Sequence, residues 1–540
     1  MPTMSAALRK RRRSHQVAAL STVLALVFVT AAATPVRGLG PAGGVVAGGV
    51  DPAAVSAGSV SAGARPAPRG LPAGDFASLW NSSPGATPGT SLADIRSIVG
   101  ANTPTTAHLD GTGIGIAMVD TGVVAVPGLA ANRVVNGPDL SFESQAVNLR
   151  WLDTYGHGTH LAGILVGDDP STGSSGLAPR AKLTSVKVGI ANGAVDVSQV
   201  IAAIDWVVAN RNHDPSHPIR VLNLAYGSAG NPAFWTDPLH FAVEQAWHAG
   251  IVVVTAAGND GNGFGRLDNP ASNPYVVAVG ASLTKGTLTT ADDELAPFTN
   301  LAGSGKQVDL LAPGESVLSL RNPGSNVDNH YPGARFGATL FRGTGTSQAV
   351  AVTSATAALL LQAKPWLTPD QVKQTLVGSG TFLAVGAGAN LGLRSVNLHA
   401  ALTYNPAWQP QQWTRSDGSG QLDASRGTSK VIRNNVTLQG QQTIFGPFSS
   451  SGWAGQSAAR TAWNGGVWLG HRMAADGWSG SSWASRTWGP AVWTSPTWDG
   501  SGSWLDPAWS SHFWSTGAWS PGDWGSHFWS TDSWASACWC

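Results

Sequence analysis

Between Ser91 and about Tyr404, short continuous apolar runs alternate with stretches whose apolar positions recur every three or four residues. Gly113 to Val119, Leu183 to Val188, Val221 to Leu224, Ile251 to Ala256 and Tyr275 to Val279 lack the polar alternation of a half-wet strand. They predict strands covered on both faces, as in a parallel sheet. Val197, Val200, Ile201, Ile204, Val207 and Val208 mark one face of a helix ending near Asn210. Thr368-Pro369-Asp370 supplies an N-cap and a first-turn proline for another helix. Val350 to Leu361 is apolar enough to predict a long buried helix. The expected fold class is therefore α/β: a doubly wound, mostly parallel sheet with helices on both faces.

Outside this region the pattern changes. Arg9-Lys10-Arg11-Arg12-Arg13, an apolar run from Val17 to Val29 and Ala31-Ala32-Ala33 read as a signal peptide over 1–33. The run is short for a membrane span of about 20 residues, so no span is expected in the mature chain. Residues 34–90 are rich in Gly, Ala and Pro without periodicity, as in a linker or reduced pro-segment. The catalytic-type patterning occupies 91–404, and 405–477 shifts toward Gln, Ser, Gly and Trp, with β character around Val431 to Phe448. From 478 to 540 tryptophans recur every five residues, with one extra residue between Trp498 and Trp504. A period of five turns by about 140° per repeat on a helix and changes face at each repeat on a strand. Two readings stand: a solenoid or adhesive tail contacting cell-wall or carbohydrate material, and a low-complexity extension without a ligand.

Composition narrows the setting. The 540 residues carry 42% hydrophobic and 12% charged side chains, enough apolar content for one large core. Removal of 1–33 takes away five basic and no acidic residues, lowering the formal charge from +1 to −4. A nucleic-acid partner is not expected. Both cysteines, Cys538 and Cys540, lie in the last three residues, so the catalytic region must stand without disulfides. A bridge between residues two apart would be strained.

Three peptides carry the chemistry: Val119-Asp120-Thr121-Gly122, Gly156-His157-Gly158-Thr159-His160 and Gly343-Thr344-Gly345-Thr346-Ser347. Each sets one member of an acyl-transfer triad beside glycines that permit close approach. Asp120 ends an apolar strand, where it can hold an imidazole, and no second Asp-Thr-Gly completes an aspartic dyad. His157 precedes a helix and suits a general base. The competing assignment of His157, His160 and Asp153 as metal ligands lacks the glutamate of the usual zinc motif, which leaves His160 as a structural residue. Ser347 precedes a buried helix whose dipole and amides favour an oxyanion.

With these motifs in the order Asp, His, Ser, the chain resembles the subtilisin-like serine peptidases over roughly Ser91 to Tyr404. Gly176-Leu177-Ala178-Pro179, Asn269-Pro270-Ala271 and Leu311-Ala312-Pro313-Gly314 also resemble family segments. The resemblance implies a secreted, extracellular endopeptidase acting on protein or peptide substrates through an acyl-enzyme. It implies that Asn259, in Ala256-Ala257-Gly258-Asn259-Asp260, supplies an amide to the oxyanion. It further implies that Ala225-Tyr226-Gly227 and Ala256-Ala257-Gly258 line the substrate strand and specificity pocket, with Tyr226 where leucine is common. Core packing is the alternative for Tyr226. Two departures matter. Val350-Ala351 replaces the family's small residue and proline after Ser347-Gln348-Ala349, and 34–95 lacks the regular elements of a folded propeptide. They motivate the alternative of an adhesion or scaffold protein with an inactive peptidase domain. No cofactor is required by the expected chemistry. Relatives bind structural calcium, for which Asp168 and Asp169 offer oxygens that equally suit a solvated turn.

Overall fold

The computed structural model describes residues 89–472, apart from 131, 146–148, 170–171, 434–435 and 465, together with 524–525. The expected signal peptide over 1–33, most of the 34–90 segment, both cysteines and nearly all of the tryptophan repeat lie outside the described residues. The chain enters through helix α1 (Leu92–Ile98), started by a capping box in which Ser91 and Asp94 satisfy each other's backbone N–H groups.

Seven strands form the body of the sheet: β1 (Gly115–Asp120), β2 (Val134–Asp139), β3 (Lys182–Lys187), β4 (Ile219–Leu224), β5 (Val252–Ala256), β6 (Val277–Leu283) and β7 (Leu310–Pro313). Their spatial order is β2-β3-β1-β4-β5-β6-β7, all parallel. The chain moves outward from β1 in both directions. A doubly wound sheet of this kind opens a crevice where its strand order reverses, at the carboxyl ends. Here that place adjoins the end of β1, which is Asp120.

Helices α2 (His157–Val166), α3 (Val197–Asn210) and α4 (Pro238–His248) cover the faces. A small antiparallel pair, β8 (Val317–Leu320) and β9 (Leu340–Thr344), leads into α5 (Thr346–Ala363). Every residue of α5 from Thr346 to Leu361 is buried, and the helix packs on α2 and across β4 to β7. Its Ala, Ser and Thr residues permit that close approach. Helix α6 (Pro369–Ser379) carries the expected Thr368 cap and first-turn proline. Tail residues Trp524–Gly525 run parallel to β9 at Gly343 and Thr344. No helix among the described residues is long and apolar enough to cross a membrane.

The strands and the α3 helix lie within two to four residues of the positions read from the sequence. Residues 405–472, by contrast, share the core of the α/β body. Leu422, Phe448, Trp453 and Trp468 belong to its main apolar cluster. Helix α7 (Ser450–Ala458) packs against α4. Asp205 on α3 accepts from Trp453 Nε1 at 2.7 Å, Trp468 Nε1 at 3.0 Å and Ser457 Oγ at 2.5 Å. Burial pushes the Asp205 carboxyl up to about 6, against the pull of those three donors. Trp453→Ala should therefore lower stability by about 3–5 kcal/mol, by opening a cavity and removing a donor from a buried carboxyl. The urea midpoint of the purified protein checks this, and an unchanged midpoint would contradict it.

Candidate active site

The site begins where β1 stops. Asp120 Oδ1 accepts from the N–H of Thr121 at 2.7 Å, and His157 Nδ1 lies 2.8 Å from Oδ1 and 3.0 Å from Oδ2. A carboxylate can only accept, so this contact assigns the imidazole proton to Nδ1 and turns Nε2 into the basic nitrogen. Both side chains are fully buried.

His157 is the first residue of α2, and its two glycine neighbours have steric reasons. Gly156 adopts φ 110°, and a Cβ on Gly158 would sit 2.0 Å from Gly122 O. Since a glycine at the cap has no side chain to offer, Asp153 takes over. Its Oδ1 accepts from Gly156 N–H at 2.7 Å and its Oδ2 from Thr159 N–H at 2.8 Å. Thr121 Oγ1, 2.8 Å from Asp153 Oδ1, accepts in turn from Gly158 N–H at 2.9 Å. Asp153 thus ties the α2 first turn to the residue after Asp120. The sequence carries a signal for this role, an aspartate three residues ahead of a glycine cap.

His160 is held apart from the chemistry. Its Nε2 lies 3.2 Å from the carbonyls of Val317 and Phe341, linking α2 to β8 and β9. Burial, reinforced by His157, drives its pKa down to about 3, so it is neutral and donates to those oxygens. With Asp153 committed to backbone N–H groups, the two cannot complete a metal site with His157. No group of three or more His, Cys, Asp or Glu side chains able to hold a metal occurs among the described residues. Asp168 and Asp169 lie in a tight hairpin where hydroxyls approach them: Ser175 Oγ at 3.2 Å from Asp168 and Thr172 Oγ1 at 2.8 Å from Asp169.

Ser347 occupies the first turn of α5 and is fully buried. The first turns of α2 and α5 share one corner, since a Cβ on Gly343 would stand 2.6 Å from His160 Cε1 and 2.7 Å from Gln348 Nε2. Asn259, three residues beyond β5, is fixed by its oxygen: Oδ1 accepts from Thr346 N–H and Thr346 Oγ1, each at 2.9 Å. Thr346, unremarked in the sequence beyond its place in the motif, is thus what orients that amide. Val350 and Ala351 continue α5 without a break, so the departure from the family pattern leaves a regular first turn.

Around these groups lie the ends of β4 and β5. Ala225 and Tyr226 follow β4, and Tyr226 is 2% exposed and belongs to the main core cluster. Gly227 leads to Ser228, which pairs with Asn269 in both directions. Ala256 closes β5. Ala257 O accepts from Asp268 N–H and Gly258 O from Asn300 N–H. Asn300 donates to Asp260 Oδ2 at 3.0 Å and Asp268 Oδ1 at 3.3 Å. Burial pushes the Asp260 carboxyl up to about 7 and Asp268 well above the carboxylate range, with the charge of Asp260 adding to the second.

A doubly wound sheet carrying an aspartate at the end of β1, a histidine opening one helix and a serine opening another defines a class, and the chain belongs to the subtilase family. Residues 111–420 match the profile described as Subtilase family. The chain is similar to the serine protease AprX of Bacillus subtilis (strain 168), with 35% identity over 277 residues, 50% of this chain and 61% of that protein. It is similar to the minor extracellular protease Epr of the same strain, with 32% identity over 270 residues, 50% of this chain and 35% of that one. The chain thus spans less than two thirds of either relative. A solved cold-adapted subtilisin-like serine proteinase shares 28% identity, covering 54% of this chain and 90% of its own, at a TM-score of 0.42.

Asp153→Ala should strand two buried N–H groups at the start of α2, at a cost of roughly 1–3 kcal/mol for each. A lowered urea midpoint, together with slower fluorophosphonate labelling of Ser347, is the expected result. A variant with the parent's midpoint and labelling rate would remove Asp153 from the account.

Proposed function

We propose that this chain is a secreted serine endopeptidase. The observation that supports the reading is the buried Asp120–His157 pair, which leaves Nε2 as a base, together with Ser347 in the first turn of α5, a helix packed on α2. Ser347 Oγ attacks the scissile carbonyl carbon while its proton passes to His157 Nε2. Asp120 accepts from Nδ1–H throughout and stabilises the imidazolium. The carbonyl oxygen, now negative, receives hydrogen bonds from Asn259 Nδ2 and the Ser347 backbone N–H. His157 then protonates the leaving amine, the acyl-enzyme forms, and a water activated by the same nitrogen releases the acid. The nucleophile, base and oxyanion donors are all side-chain or backbone groups of this chain, so the chemistry calls for no cofactor. The substrate backbone runs beside Ala225, Tyr226 and Gly227, with Ala256, Ala257 and Gly258 across from them.

The basic and apolar start of the chain supports export, as does the extracellular character named for Epr. The tryptophan repeat at 478–540 offers stacking faces to wall polymer or carbohydrate. The carboxylate oxygens of Asp168 and Asp169 suit a structural calcium ion, which the mechanism does not use.

Fluorophosphonate should label the wild type and leave Ser347→Ala unlabelled, and equal labelling of both would defeat the assignment. Asp120→Asn should reduce kcat by about 10⁴-fold at neutral pH, because an amide facing Nδ1 favours the wrong tautomer. A loss of less than tenfold in peptide hydrolysis would show that Asp120 does not orient the base.

A further inference from the structure

The chain leaving β5 brings two acids to the wall assigned to the substrate. Asn259, whose Oδ1 holds the residue before Ser347, is flanked by Gly258 and Asp260. A carbonyl oxygen held by Asn259 belongs to the residue on the acyl side of the scissile bond, so that residue's side chain is the one nearest this flank. Gly258 adopts φ 114°, and a Cβ there would stand 2.1 Å from Asn300 Nδ2 and 2.6 Å from Asp268 Oδ2. Only glycine fits, and no side chain at position 258 screens the Asp268 carboxylate.

The two acids converge on one amide. Asn300 Nδ2 donates to Asp260 Oδ2 at 3.0 Å and to Asp268 Oδ1 at 3.3 Å, while its Oδ1 accepts from the N–H groups of Asp260 at 2.6 Å and Gly261 at 3.1 Å. Asp268 is tied to the same wall, its N–H donating to Ala257 O at 3.0 Å. Asp260 is half-buried and Asp268 is 1% exposed. The second oxygen of Asp268, Oδ2, is buried without a hydrogen-bond partner. Arg266 is the cation whose charge reaches both acids, yet it forms no ion pair with either among the described residues, and its guanidinium carbon lies 4.9 Å from the centroid of the Phe264 ring. Burial, then the charges of Asp196, Asp237 and Asp268, push the Tyr226 phenol well above its usual range, so Asp268 also stands within electrostatic reach of the opposite wall. Two carboxyls held together out of water are costly to ionise, and a cation joining them relieves that cost.

We propose that Asp260 and Asp268 form the acidic end of the pocket beside Gly258 and select substrates with arginine or lysine on the acyl side of the scissile bond. This inference rests on the peptidase reading above and on its assignment of Gly258 to the substrate wall. Asp260 meets the incoming cation from the half-buried side, and Asp268 Oδ2 accepts the donor it lacks. A purely structural pair, sharing a proton beside Asn300 to brace the loop from Gly258 to Asp268, predicts no preference for charge at that substrate position.

The test uses the full chain and fluorogenic peptides that differ at that one position, where arginine is compared with citrulline and lysine with norleucine, neutral side chains of nearly the same shape. Wild type should show kcat/KM at least about tenfold higher for each charged member, the lower end of what a hydrogen bond to a charged group contributes. Asp268→Asn and Asp260→Asn are read by the same ratio, which cancels any general loss of folded enzyme, and each should bring it down toward unity. The wild-type ratio decides whether or not the variants fold. A ratio near unity in wild type, or one that both variants leave unchanged, would overturn the acidic pocket while the cleavage itself keeps the peptidase reading intact. No cleavage of any peptide, together with no Ser347-dependent fluorophosphonate label, would instead remove the peptidase reading and the pocket's role with it.

Discussion

The contact between Asp120 and His157 is the constraint on which the surrounding structure converges. To put a carboxylate at the end of a strand buried on both faces, the chain must satisfy that carboxylate locally, and the Thr121 N–H and His157 Nδ1 do so. The histidine must then be held at a helix start where any larger neighbour would collide with Gly122 O. That leaves the helix without a capping side chain, and Asp153 supplies one from three residues upstream. Each step follows from the previous one. Burial makes an unsatisfied group costly, and here Asp120 and the first turn of α2 are satisfied by the groups around them.

Helix α5 plays the corresponding part for Ser347. Its small buried residues let it lie against α2 and the sheet, and its first turn is fixed from outside by Asn259 through Thr346. The oxygen of that amide thereby registers the helix that bears Ser347. Backbone amides of that first turn add to the positive end of the helix dipole, which suits a site built to hold a developing negative charge.

The frame of the fold was legible because strands buried on both faces produce unmistakable apolar runs. Their order in space was not, since nothing in a run of Val and Ala says which neighbour it pairs with. His157 and Ser347 stood out through the glycines around them. Asp153 and Thr346 did not, because a carboxylate or hydroxyl that works through backbone N–H groups has no fixed motif and is visible only when the groups it serves are in place. Residues 421–448 were opaque for a related reason. Composition indicates only a polar segment with β character, whereas the burial of Arg426 depends on Asp196, 230 residues away in sequence. Such pairing is a property of the closed chain.

The meeting of Trp453, Trp468 and Ser457 on Asp205 separates two boundaries that usually coincide. The family pattern ends at residue 420, yet the groups that cover α3 and α4 and satisfy a buried carboxyl come from 453 to 468. A chain trimmed to the family pattern would keep Asp120, His157, Asn259 and Ser347 and still expose an apolar helix face with an unmatched acid inside it. In this protein the piece that matches the family is shorter than the smallest piece that folds as described, and the stop codon of any recombinant form belongs beyond Trp468.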